Sequence, residues 1–239
     1  MSWFLRGIRS GIRTEPLSPD APVLAGATPG FPRETRFESV ADARDNETRC
    51  PTGAIRADGE VARVKRDRCI HCMRCATPDG SAKMEWTVDH EWAHGGEGSG
   101  SLPAAFRRSL HVRVIDAGDC GACLNEIGHL DDPFYNTHRF GIFVTPAPRQ
   151  ADVLLIVGPV TQQMQAALKV AYEAMPGPRR VVAVGACAVD GGLFGPSVMC
   201  GSGAADVVPV DVFVPGCPPP PLAILHALRA VCGQEPLER

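Results

Sequence analysis

The sequence predicts an α/β protein: a mainly parallel sheet covered by helices on both faces, preceded by a small cysteine-rich unit. Two observations carry this reading. Four short apolar runs, HVRVID (111–116), DVLLIVG (152–158), RVVAVGA (180–186) and VVPVDVFVPG (207–216), alternate with helical patterns at about 121–130, 161–175 and 221–232. Continuous β-branched runs separated by helices are what a sheet buried on both faces requires. The second observation is that ten cysteines fall into two unlike groups, one before and one within this alternation.

The bulk composition narrows the function. The 239 residues are 44% hydrophobic, enough for an ordinary core, and the formal net charge of −3 offers no general attraction to nucleic acid. Gly (25) and Pro (22) are abundant, as a loop-rich chain needs. No apolar run reaches membrane-spanning length, and the arginines at the N-terminus do not precede the continuous apolar core of a secretory leader. The expected location is therefore cytoplasmic, where many cysteines serve as metal ligands more often than as disulfides.

Four segments follow from the composition. Residues 1–39 form an arm that opens with Trp3, Phe4, Leu5, Ile8 and Ile12 near helical spacing, interleaved with Arg6, Arg9 and Arg13. That is a basic amphipathic pattern, suited to a partner or a membrane surface. Residues 40–94 hold the first cysteines, 95–110 are a Gly-rich linker, and 111–239 form the α/β domain.

The first group reads Cys69-Ile-His-Cys72-Met-Arg-Cys75, with Cys50-Pro upstream. Two-cluster bacterial ferredoxins repeat C-x2-C-x2-C-x3-C-P, and the fourth cysteine of each motif ligates the other cluster. Counting back from Cys50 meets Asn46, Ala43 and Val40; counting forward from Cys75 meets Asp79. One motif has kept only its last cysteine and the other has lost it, so Cys50, Cys69, Cys72 and Cys75 are the set for one [4Fe–4S] cluster. The segment resembles a ferredoxin module reduced to a single cluster. Four thiolates also suit zinc in a non-enzymatic scaffold, but separated C-x2-C pairs would favour zinc, whereas a triplet plus Cys-Pro favours iron–sulfur. His71 and Arg74 stand inside the loop, and His71 is expected to be solvent-exposed.

The second group is Cys120-Gly-Ala-Cys123, Gly185-Ala-Cys187 and Pro215-Gly-Cys217-Pro-Pro. Each lies just beyond the carboxyl end of a predicted strand, where ligands bind in open parallel sheets. Gly118, Gly121, Gly185, Gly192 and Gly216 surround the thiols, and small residues let backbone approach a bound group closely.

The segments DAGDCGACLNEI, GACAVDGGLFG and VPGCPPPPLAIL resemble the family shared by [NiFe]-hydrogenase small subunits and the complex I subunit that holds its terminal cluster. The likeness covers about 105–232. It implies a flavodoxin-like domain whose Cys120, Cys123, Cys187 and Cys217 bind a second [4Fe–4S] cluster beside the active site of a separate large subunit. The spacing Cys120-x2-Cys123 matches the hydrogenase branch, best its energy-converting, formate-hydrogenlyase-like group; the complex I branch, with adjacent cysteines, is the alternative. The resemblance also implies membrane-arm subunits and another iron–sulfur protein as partners, with peripheral attachment on the cytoplasmic side. RGIRSGIRTEP (6–16) resembles the arm of the ferredoxin-like subunit in such complexes, so the chain looks like a fusion of the two subunits.

Glu126, one helical turn after Cys123, is a candidate proton relay, or else a partner's ion-pair residue. Asp190 is expected to accept hydrogen bonds within its loop, and Cys232 to be a buried apolar thiol; Cys200 has no assigned role. His90, His94 and His111 are too loosely spaced for a metal site and are expected in a surface loop.

Overall fold

The computed structural model describes residues 3–10, 27–76, 83–96 and 100–237. The amphipathic segment forms helix α1, Trp3–Ser10, on which Leu5 and Ile8 are exposed. The rest of the arm pattern falls partly on 11–26, outside the described residues. Residues 27–39 do not form a free arm: Phe31 is fully buried, Phe31 N–H bonds to Thr87 Oγ1, and Thr35–Arg36 forms strand β1.

Helix α2 (Val40–Arg49) starts at Ser39, whose Oγ accepts from Asp42 N–H, satisfying one of the free donors of the first turn. It ends at Cys50 and lies against the hairpin β2 (Ile55–Asp58) and β3 (Val61–Val64). With β1 these strands make an antiparallel sheet of order β1-β3-β2, and Ile55, Ala62, Cys75 and Met84 form its core.

Among the described residues the main sheet has six strands: β4 (His94–Gly95), β5 (Leu110–Asp116), β6 (Ile142–Val144), β7 (Val153–Val157), β8 (Arg180–Val184) and β9 (Val212–Val214). Their order is β4-β9-β8-β7-β5-β6, and only β4 runs antiparallel. Numbered along the chain, the five parallel strands read 2-1-3-4-5, the doubly wound order of flavodoxin-type sheets. The VLLIV run of β7 is buried throughout, and separate apolar clusters cover the two faces. Helices α3 (Ala122–Gly128), α4 (Gln162–Ala174), α5 (Ala186–Asp190) and α6 (Pro221–Val231) complete the layers.

The last predicted strand shrinks from 207–216 to three residues. Pro209 cannot donate to a ladder, and the Asp211 carboxylate accepts Val181 N–H at 2.8 Å, so a side chain takes the place of a strand bond. Gly95, expected to open a linker, pairs in β4 with Val212. Among the described residues no helix is long and apolar enough to cross a membrane.

Candidate functional site

Cys50, Cys69, Cys72 and Cys75 line one cavity, with Pro32, Ile55, Ile70, Met73 and Trp86 among its walls. Cys50 arrives from the end of α2, and the other three from the 69–75 loop. His71 and Met73 hold positive φ (51° and 59°), a costly backbone for residues with a Cβ. Ala54 N–H donates to Cys50 Sγ at 3.2 Å, and His71 N–H donates to Cys69 Sγ. Burial pushes the Cys69 thiol up to about 12, helped by the charges of Cys75, Cys72 and Cys50. Burial also raises Cys75, opposed by the nearby Trp86 indole N–H. That N–H is buried beside the thiol yet completes no hydrogen bond of normal geometry.

Cys120 and Cys217 come from the loops after β5 and β9, and Cys123 and Cys187 from the first turns of α3 and α5, which follow β5 and β8. Burial raises Cys123 most, and Asp119 and the thiols of Cys187, Cys217 and Cys120 raise it further. Burial pushes Cys187 up to about 11, with Cys217 and Cys120 adding to it and the Leu193 N–H opposing. Two of the five expected glycines touch sulfur: a Cβ on Gly185 would stand 2.5 Å from Cys123 Sγ, and one on Gly192 2.8 Å from Cys187 Sγ. Gly118 instead abuts Thr161, Gly216 abuts Pro219, and Gly121 has open space. Helix α6 begins on Pro221, just after this loop.

Both sets thus pair crowded thiols, electrostatically hostile to one another's ionisation, with backbone N–H groups aimed at sulfur. A multi-iron, sulfur-bridged cation fits such a donor set, since it would deprotonate the thiols and be tuned by the same N–H groups. Among the described residues no three His, Cys, Asp or Glu side chains are gathered tightly enough to grip a single ion.

Glu126 is half-buried in a cleft with Cys217, Pro218, His129, Asp132, Tyr135 and His71. His129 Nδ1 lies 2.7 Å from Asp132, and burial, then Glu126 and Asp132, raise the Tyr135 phenol. The sequence pointed to Glu126 but not to His129, Asp132 and Tyr135 beside it, because these follow in the irregular segment between α3 and β6. Sequence reasoning misread His71. The ring is wedged against Phe31, Trp92 and Trp86, and both nitrogens are buried without a hydrogen bond of normal geometry. Burial pushes its pKa down to about 4, opposed by the Pro218 carbonyl.

Asp190 accepts from Arg68 Nε at 2.5 Å and Lys65 Nζ at 3.4 Å, outside its own loop. His94 and His111 stand in strands β4 and β5, bonded to Asp67 and near Asp152, and His90 lies close enough to His226 to affect its charge. Cys200 is buried and donates to Gly195 O. Cys232 is buried and donates to Leu228 O, one turn back on α6.

Residues 120–231 match the family described as NADH ubiquinone oxidoreductase, 20 Kd subunit. An uncharacterized protein of Methanocaldococcus jannaschii is 46% identical over 125 residues, 52% of this chain and 84% of that protein. A probable membrane-bound hydrogenase subunit, mbhJ, of Pyrococcus furiosus is 44% identical over 51% of this chain and 72% of that protein. Formate hydrogenlyase subunit 7 of Escherichia coli is 39% identical over 56% of this chain and 52% of its own length.

Proposed function

Since the chain belongs to the NADH ubiquinone oxidoreductase 20 Kd subunit family, we propose that it is the electron-transfer small subunit of a membrane-associated, [NiFe]-hydrogenase-like complex. The observation that carries this reading is the meeting of Cys120, Cys123, Cys187 and Cys217 at one sheet edge from three separate loops. These residues would hold one [4Fe–4S] cluster, and Cys50, Cys69, Cys72 and Cys75 a second, in a fused ferredoxin-like module spanning 40–94. When bound, such clusters supply one-electron redox chemistry.

The protein's own part is positional and electrostatic. Gly185 and Gly192 leave room against sulfur, Leu193, His71 and Ala54 N–H groups point to thiolates, and the apolar wall beside Cys75 excludes water. Glu126 would carry protons in the cleft beside Cys217, with Tyr135, Asp132 and His129 as neighbours. The catalytic centre belongs to a large subunit. The exposed Leu193, Phe194, Val198 and Met199, which leave directly from the Cys187 loop, support a docking face for it. Membrane-arm subunits would anchor the complex on the cytoplasmic side, with α1 against them, and another iron–sulfur protein would exchange electrons at the first set.

The family description itself favours a second reading, a complex-I-like subunit whose partner reduces quinone. The Cys120-x2-Cys123 spacing favours the hydrogenase branch, and nickel-ligating cysteine pairs in the partner would decide between them. The first test is metal and sulfide analysis with low-temperature EPR on anaerobically purified protein. Two [4Fe–4S] signals and about eight irons per chain are expected. Zinc in place of iron, without sulfide, would mean a zinc scaffold and overturn the reading.

A further inference from the structure

The two cysteine sets lie in segments that flank separate sheets, yet several contacts tie them, most landing within three residues of a cysteine. Trp92, 2% exposed, donates its indole N–H to Pro215 O at 2.9 Å, two residues before Cys217. Its ring meets Phe31 edge-on at 4.6 Å and His71 at 5.9 Å. His71, whose own N–H bonds to Cys69 Sγ, shares the cleft wall with Cys217 and Pro218. At the rim Asp190, three residues after Cys187, takes Arg68, which immediately precedes Cys69. Behind these, β4 continues the main sheet, with His94 paired to Phe213 in register and stacked on its ring at 5.4 Å. Phe31, Cys69 and Trp92 belong to the same apolar core as Val212, Val214 and α6.

We propose that Trp92, His71 and the Arg68–Asp190 ion pair are positioning residues that lock the 69–75 loop onto the 215–218 loop. The two cysteine sets then form one rigid unit, and electrons cross between them inside the chain without a mobile carrier. The second clause rests on the reading that both sets hold clusters. The division of labour follows from burial. Trp92 and Phe31 supply adhesion, because they are removed from water. The partly exposed ion pair sets orientation, since a pair that water still reaches adds little stability.

The test uses the full chain, reduced anaerobically, with two readouts. One is magnetic interaction between the two reduced centres, seen as mutual broadening or faster relaxation in EPR. The other is amide hydrogen exchange at His94–Gly95 and Val212–Val214. Combining Trp92→Phe with Asp190→Asn is expected to abolish the broadening and speed exchange about tenfold, as the loss of one buried hydrogen bond implies, with iron content unchanged. Asp190→Glu is expected to keep both readouts. Should Trp92→Phe fail to fold, Arg68→Ala with Asp190→Ala carries the broadening comparison at the rim, where the ion pair sets orientation and exchange is expected to change little. Unchanged broadening and exchange in the combined variants would overturn the lock. A wild-type chain without two iron centres counts against the functional reading, and exchange alone then decides the lock.

Discussion

The two cysteine sets solve one problem in opposite ways. Cys69, Cys72 and Cys75 lie on a single seven-residue loop, closed by Cys50 from a helix end, against walls of Ile55, Met73 and Trp86. Cys120, Cys123, Cys187 and Cys217 follow three strand ends, and Cys217 opens into a cleft lined by Glu126, His129, Asp132 and Tyr135. The first site is local in sequence and mostly apolar; the second is assembled by topology and acidic. A site with apolar walls can offer a path to electrons alone. A site beside titratable side chains can couple electron movement to protons, as the proposed function would require.

The largest effect tests whether the sets are independent. Cys69→Ser is expected to remove the first set's EPR signal and about four irons per chain while leaving the other signal intact, and Cys187→Ser to do the reverse. If either change emptied both sites, the contrast drawn above would collapse into a single cooperative centre.

The next effect tests the acidic side of the contrast. Glu126→Gln keeps size and hydrogen bonding but cannot carry a proton. In the assembled complex it is expected to lower proton-coupled turnover by on the order of a hundredfold, the usual range for a lost acid–base group. The iron content and EPR signals of the chain should stay as they were. Equal loss of signal and turnover would make Glu126 a structural residue of the second site.

How far each region was legible follows from the range of its contacts. The grouping of the first cysteine set could be read by counting, because three of its thiols sit at fixed local spacing. The second could be read because thiols after parallel strands must share an edge, whichever strands pair. Strand β7 declared itself through the unbroken VLLIV run. Strands β4 and β6, of two and three residues, are too short to show a period of two, and α5, with five residues, is little more than a single turn. What stayed hidden was the seam between the sets. Phe31 read as part of a Pro-rich arm and His71 as exposed, because burial of each depends on Trp92, distant in sequence and silent in any local pattern. Asp190 hid for the same reason, since its partner Arg68 lies 122 residues away.

The smallest effect sharpens the contrast at two glycines. Gly185 of the second set and Gly53 beside the first both hold positive φ, 91° and 63°. An added methyl at Gly185 would press on Cys123 Sγ at 2.5 Å, whereas one at Gly53 meets nothing within 4 Å. Gly53→Ala should therefore cost only the left-handed backbone penalty, about 1–2 kcal/mol. Gly185→Ala carries an unfavourable backbone as well as overpacking, which alone costs about 1–3 kcal/mol. Urea unfolding of the two variants, each with its iron content measured, separates the cases. The expected result is a modest loss of stability with full iron for Gly53→Ala, and a larger loss with the second set's iron missing for Gly185→Ala. Equal costs and full iron in both would mean that the sheet edge relaxes around Cys123, so that sites assembled by topology tolerate change as readily as the local loop does.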